Sequence, residues 1–172
     1  GVAENLKTKK MALKQARRNT HDGISVVQTA EGATSEVSDI LKRMRELATQ
    51  SSTETLHDDE RSYIQDEFTQ LSEEIDRISE TTEFNGISLT DGNGGIDGDN
   101  TMDVQIGINN SGNDRVSISL GDLRSQSLGV SSKGGAGSIS MSTAANAQNA
   151  ITKVTAALKV VNTYRSRYGA LL

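Results

Sequence analysis

Apolar and small residues recur every three to four positions along the first fifty residues, which is the spacing of an α-helix. With Leu6 at position a of a heptad, most a and d positions carry an aliphatic residue, Ala, Gly or Thr. A third series at position g, which includes Val26 and Leu47, widens this stripe. The pattern predicts one long helix over residues 3–51 that packs against more than one neighbour. At 1.5 Å per residue such a helix is about 70 Å long, so we expect an elongated molecule.

A second helix is predicted over residues 58–80. Polar residues at 51–53 end the first periodicity, and the acidic run at 58–60 is typical of a first helical turn. The segment carries one apolar face, made of Ile64, Phe68, Leu71, Ile75 and Ile78. A short turn between the two helices would make them antiparallel and would lay the start of the second beside the end of the first.

The middle of the chain has a different character, because glycine is frequent and the helical periodicity is lost. Alternating apolar residues at 102–108 and 116–120 flank a turn and predict a β-hairpin within a β region over 84–130. Residues 131–139 are rich in Gly and Ser and are predicted to be a linker. Helical periodicity returns over residues 140–168.

These elements predict a mainly α fold with a small β region, in which an elongated bundle of long antiparallel helices carries a β-hairpin. We expect a single domain over residues 1–172. With three Tyr, two Phe and no Trp, packing of aliphatic residues and Ala between helices has to supply the core. Seven residues on the helix faces are expected to be buried: Val27, Val37, Leu41, Ile75, Val154, Leu158 and Val161.

The composition argues against several classes of function. The chain has no Cys and only two His, which excludes a disulfide scaffold and a thiolate metal site. A net charge of −5 disfavours nucleic acid, and no apolar run approaches the roughly 18 residues of a membrane span. No catalytic motif occurs, and the acidic glycine loop at 91–99 lacks the ligand spacing of a calcium site. We therefore expect no enzymatic activity, cofactor, metal ion, nucleic-acid partner or membrane partner.

Charge is distributed unevenly along the chain. The first 18 residues hold six bases and one acid, whereas residues 31–80 hold 14 acids and five bases. We interpret both segments as solvated helix faces that also steer self-association. Near the end of the first helix, Leu47 lies among Arg43, Glu46 and Gln50, which is a plausible protein contact. An ordinary amphipathic helix border explains the same pattern equally well.

Several stretches of the chain closely resemble bacterial flagellin. They are NTHDGISVVQTAEGA over 19–33, LKRMRELATQ over 41–50, EIDRISETTEFNG over 74–86, VQIGI over 104–108 and RSRYGA over 165–170. Segments 119–130 and 140–151 are also similar to flagellin. The resemblance is spread over nearly the whole chain and keeps the order of the family's segments.

The resemblance implies the D1 core of a flagellin, with long antiparallel helices, a β-hairpin region and chain ends that run together. It implies a structural subunit of the bacterial flagellar filament, which is exported through the flagellar secretion channel and is extracellular. Its partners would be other flagellin subunits and Toll-like receptor five of animal hosts. The matching motifs transfer the receptor contact to Arg43, Leu47 and Glu67, with Gln50 and Ile64 beside them.

Two departures from the family pattern shape this expectation. Flagellins continue beyond both ends of such a core, so we expect a trimmed fragment that does not polymerise and is monomeric on its own. Many flagellins carry large variable outer domains where this chain has the short segment 131–139. Two alternatives remain, namely a hook-filament junction protein, which resembles flagellin in its helical core, and a non-flagellar coiled-coil scaffold.

Overall fold

The computed structural model describes all 172 residues, Gly1 to Leu172, and consists of long helices with two small antiparallel sheets. The elements are α1 Val2–Ser51, α2 Asp58–Thr81, β1 Glu83–Phe84, β2 Ile87–Ser88, β3 Thr101–Gln105, β4 Arg115–Ser119, α3 Ser125–Leu128 and α4 Ala144–Leu171. A 3-10 turn at Gly112–Asp114 precedes β4. The mainly α class with a small β region is confirmed.

Helices α1 and α4 run antiparallel and form the main contact of the bundle. At one end the Ser51 hydroxyl donates to the Met141 carbonyl oxygen at 3.1 Å, and further along Arg165 Nε donates to Glu31 Oε1 at 3.2 Å. Helix α2 packs against α1 from a second side. The resulting core contains residues of α1, α2 and α4. It is almost entirely aliphatic, with Phe68 as its one buried aromatic ring. The seven residues expected in the core are all buried, with at most 8% of any of them exposed.

Helix α4 begins later than the sequence pattern predicts, at Ala144 and not at 140. The Thr143 hydroxyl accepts a hydrogen bond from the Asn146 N–H at 3.0 Å and so caps the helix. The preceding segment is held on α2 instead, because the Met141 N–H donates to Gln65 Oε1 at 2.6 Å. The helix also ends later than predicted, at Leu171 and not at 168.

The first part of α1 is uncovered, which corrects the expectation that its heptad is in contact from Leu6 onward. Leu6 and Leu13 are 63% and 57% exposed, and Ala16 is the first buried residue of the helix. Leu171, in the last turn of α4, lines the same small cavity as Gly23 of α1. The β3–β4 hairpin reaches about one turn farther, because the Asn19 side-chain amide donates to the Gln105 carbonyl oxygen at 3.1 Å. None of residues 2–15 is buried in this chain.

The β region is built from two hairpins. Asn85 and Gly86 join β1 to β2 with φ of 50° and 76°, the left-handed values that a tight two-residue hairpin turn requires. Strands β3 and β4 pair from Thr101 opposite Ser119 to Gln105 opposite Arg115. The pairing is shorter than the predicted strand at 102–108 because residues 106 and 107 both donate to one carbonyl oxygen, that of Asp114.

The second hairpin docks on α1 where the helix has no side chain. A Cβ at Gly23 would lie 3.3 Å from both methyl groups of Val104. The missing side chain at Gly23 therefore leaves room for strand β3, and the residue does not serve a contact between helices. From the other side the Tyr168 hydroxyl of α4 accepts a hydrogen bond from the Gly121 N–H at 2.8 Å. Burial raises the pKa of Tyr168 above its usual value.

The segment predicted to be a free linker is held against α2. The Ser72 hydroxyl donates to the Val130 carbonyl oxygen at 3.1 Å, and Lys133 Nζ lies 3.1 Å from Asp76 Oδ2. Asp76 also accepts hydrogen bonds from the N–H and the hydroxyl of Ser125, at 2.8 and 2.9 Å, and so fixes the short helix α3. The loop is closed by the bond from the Ile139 N–H to the Ser131 carbonyl oxygen at 2.9 Å.

Leu41→Ala is expected to lower the free energy of unfolding by about 2 to 4 kcal/mol, because it opens a cavity among fully buried side chains. Leu13→Ala makes the same chemical change at an exposed position of the same helix and should change stability by about 0.5 kcal/mol at most. Urea unfolding followed by circular dichroism measures both. Equal effects of the two substitutions would contradict the assignment of the core.

Candidate functional site

The turn between α1 and α2 is organised by Arg61, a residue that the sequence analysis did not single out. Its guanidinium donates to the carbonyl oxygens of Ser51, Thr53 and Leu56 at 3.2, 2.5 and 3.0 Å, and only 7% of the residue is exposed. These bonds satisfy carbonyl groups at the end of α1 and in the turn, where no helical N–H is available. The sequence did contain a hint of this role, because Arg61 is the only arginine or lysine next to the acidic run at 58–60. Arg61 thus fixes the start of α2 beside the end of α1.

Arg43 of α1 and Glu67 of α2 bind each other across this helix pair. Arg43 Nε donates to Glu67 Oε1 at 3.0 Å and Arg43 Nη2 donates to Glu67 Oε2 at 3.2 Å, which is the two-bond geometry of a strong ion pair. Arg43 Nη1 also donates to Glu46 Oε2 at 3.1 Å. The hydrogen bond with Glu67 is the main reason that the pKa of Arg43 is raised. Any partner therefore meets the two residues as a preformed pair.

Leu47 and Ile64 are not the exposed apolar contacts that the receptor motif suggests. Leu47 is 1% exposed and Ile64 is 6% exposed, since each helix covers the other's apolar residue and both side chains belong to the core. Gln50 remains exposed beside them. The apolar position g of the heptad is thus a second packing seam and not an outward extension of the first.

The exposed apolar side chain in this region is Tyr63, which the sequence analysis missed. It is 75% exposed and borders a shallow depression together with Arg43, Gln50, Glu60 and Glu67, above Leu47 and Ile64. We call this set of residues the α1–α2 surface. The periodicity of α2 could have predicted this exposure, because residue 63 is not part of the apolar series at 64, 68, 71, 75 and 78.

The cavity beneath the β3–β4 hairpin and the loop at 91–99 are two other places where the sequence or the shape suggests a site. The small cavity of about 80 Å³ beneath the β3–β4 hairpin is apolar, with Thr20 as the only polar residue among nine that line it. In the loop at 91–99, Asp91 and Asp99 accept hydrogen bonds from the backbone N–H groups two residues later. No cluster of three or more His, Cys, Asp or Glu residues is placed to hold a metal ion. None of the helices has the length and apolar character that crossing a membrane requires.

Comparison with known proteins gives a consistent result. The chain is 39% identical over 170 residues to a flagellin of Halalkalibacterium halodurans, which covers 99% of the chain and 58% of that protein. It is 35% identical over 174 residues to the flagellar filament 31.3 kDa core protein of Treponema maltophilum, covering 98% of the chain and 60% of that protein. The chain therefore spans about three fifths of the length of these two relatives.

A solved structure and a family model agree with these relatives. The crystal structure of Bacillus cereus flagellin matches with a TM-score of 0.73 and 29% identity, covering 89% of this chain and 81% of that one. The family model for the bacterial flagellin N-terminal helical region matches residues 1–94. Because that match takes in more than half of the 172 residues, the chain belongs to the bacterial flagellin family.

Proposed function

We propose that the chain is a structural subunit of the bacterial flagellar filament, the extracellular polymer that drives motility. Flagellins are structural proteins and not enzymes, in agreement with the lack of any catalytic motif. The observation that carries the proposal is the rod built on antiparallel α1 and α4, which matches a flagellin structure over 89% of the chain. One of the relatives is itself named a flagellar filament core protein.

The shape and composition of the chain suit this role. Helix α1 alone is 50 residues long, or about 75 Å, so neighbouring subunits can contact along a rod and at its ends. A filament subunit would reach its site through the flagellar secretion channel and fold outside the cell. With no Cys and no Pro, this chain would fold there without disulfide formation or slow prolyl isomerisation.

Filament assembly is expected when the chain is joined to those segments of the Halalkalibacterium halodurans flagellin that lie outside the matched region. Electron microscopy of the purified chimera should then show filaments. The chain alone is the matched control, and we expect it to form no filaments.

A folded chimera that forms no filaments, under conditions in which the relative's own flagellin assembles, would contradict the proposed filament role. It would favour one of the two alternatives, a hook-filament junction protein or a coiled-coil scaffold. The two differ in their binding partners, because only the former attaches to the hook.

We further propose that the α1–α2 surface is the contact for Toll-like receptor five of animal hosts. The support is the motif match at Arg43, Gln50 and Glu67 together with their placement on one exposed surface. The Arg43–Glu67 pair presents charged groups in a fixed geometry, so little ordering is needed on binding. Leu47 and Ile64 would act by holding the two helices together and not as exposed anchors.

Arg43→Ala is expected to weaken binding to the purified receptor ectodomain about tenfold or more, as for an arginine near the centre of an interface. Surface plasmon resonance measures the affinity. The control is Arg77→Ala, which breaks a similar exposed pair with Glu74 farther along α2. If both variants kept the parent's affinity, the receptor contact would have to lie elsewhere.

A further inference from the structure

Three basic side chains border one open groove between α1 and α4. Lys42 and Arg45 come from α1, and Lys159 comes from α4. Thr155 and Asn162 of α4 add a hydroxyl and an amide to the wall of this groove, which has a volume of about 510 Å³. We call these five residues the basic groove.

The three cations have no partner within the chain. Lys42, Arg45 and Lys159 are exposed and form no ion pair with any carboxylate. Farther along the same two helices, Arg165 of α4 and Glu31 of α1 have opposite charges and bind each other at 3.2 Å. At the basic groove the charges that α1 and α4 bring together have the same sign, and their repulsion opposes the packing of the two helices.

The one carboxylate that lines the groove does not neutralise these cations. It belongs to Glu46, whose Oε2 accepts a hydrogen bond from Arg43 Nη1 at 3.1 Å. Three cations against one engaged carboxylate leave an excess of positive charge in the groove, although the chain as a whole has a net charge of −5. The groove is therefore a place where this acidic protein attracts an anion.

The side chains of the groove favour an anion that carries several phosphate groups. Leu158 is the only apolar residue that lines the groove and is 8% exposed, so an apolar side chain or a lipid tail finds no anchor there. The planar fork of Arg and the ammonium group of Lys are the donors with which proteins bind phosphate. The volume is that of a ligand pocket and exceeds what a single phosphate fills. A chain of linked phosphates can bring negative charge to all three cations.

We infer that the basic groove binds an oligophosphate, which bridges Lys42 and Arg45 of α1 to Lys159 of α4. This inference goes beyond the proposed filament role and does not depend on it. The bound phosphates would replace repulsion between the two helices by attraction, so the ligand would stabilise the folded chain. Because the groove is exposed, binding becomes weaker as salt is added.

Titration of the chain with inorganic tripolyphosphate at low salt tests the inference. Nuclear magnetic resonance of the backbone amides locates the site, and the shifts should concentrate at residues 42–46 and 155–162. The groove variant Lys42→Gln, Arg45→Gln, Lys159→Gln should bind about tenfold more weakly or not at all. Lys159→Gln alone should also weaken binding, which covers the case that the triple variant fails to fold.

The matched control removes the same charges from another part of α1. Lys7→Gln, Lys10→Gln, Arg17→Gln changes two lysines and one arginine at exposed positions outside the groove and should leave the affinity unchanged. Thermal unfolding gives a second measurement. Tripolyphosphate at about a hundred times its Kd should raise the Tm of the parent and of the control by about 5 °C, and should not raise that of the groove variant.

Two further titrations identify what the groove recognises. Adenosine triphosphate presents the same linked phosphates as an ester. Affinity equal to that of tripolyphosphate indicates a free oligophosphate as the ligand, and tighter binding in the groove indicates a phosphate ester. A glutamate peptide of equal charge should bind more weakly than tripolyphosphate, because it lacks phosphate groups.

The inference is overturned if tripolyphosphate shifts no amides, or shifts only those of residues 7–18. Equal losses of affinity in the groove variant and in the control would also contradict it, since they would reflect net charge alone. If the glutamate peptide binds in the groove as tightly as tripolyphosphate, the groove is not a phosphate site.

Discussion

The close packing of α1 against α4 is the contact on which the rest of the molecule depends. Small residues on both helices, among them Ala30 and Ala33 on α1 and Ala150 and Ala157 on α4, are buried between elements. Small side chains let the two helices approach closely, and the aliphatic residues between them supply the apolar burial. Glycines within α1 each cost about 1 kcal/mol relative to Ala, so this helix relies on its neighbours for stability.

The other elements are arranged around this pair of helices. Helix α2 covers the second seam of α1, and Arg61 closes the turn that makes this arrangement possible. The β3–β4 hairpin occupies the place where Gly23 leaves room on α1, and Tyr168 of α4 holds the chain that leaves the hairpin. The hairpin also contacts α1 near Asn19, whose side-chain amide donates to the Gln105 carbonyl oxygen at 3.1 Å.

The sequence was sufficient to predict the helices and much of the core because their periodicity is local. Positions such as Leu41 and Val154 fall on helix faces whatever covers them, and the short turn at 52–57 correctly placed Arg43 near Glu67. The exposure of a given apolar position was not predictable in this way. Leu13 and Leu47 both belong to apolar series of α1, yet the first is exposed and the second is buried. The difference depends on which turns and which faces of α1 the other elements cover.

The hydrophobic pattern also could not identify side chains that stabilise the fold by binding backbone groups. In the sequence Arg61 is one basic residue in an acidic segment, and its role becomes visible only when the folded turn brings the Ser51 carbonyl oxygen within hydrogen-bond distance. The segment 131–139 has the composition of a linker, but α2 holds it through the ion pair of Asp76 with Lys133 and the hydrogen bond from the Ser132 hydroxyl to Thr69. Composition describes how flexible such a segment is in isolation, and it does not reveal the polar groups that a neighbouring helix offers.

The central claim is that packing against α4 and α2 determines where α1 is stable. Native-state hydrogen exchange resolved by residue tests this claim most directly. Amides of α1 before Ala16 should exchange with the weak protection of an isolated helix, whereas amides from Val27 to Ala48 should exchange only through global unfolding. Uniform protection along the whole of α1 would contradict the claim, because it would mean that the helix is stable without the neighbours that cover it.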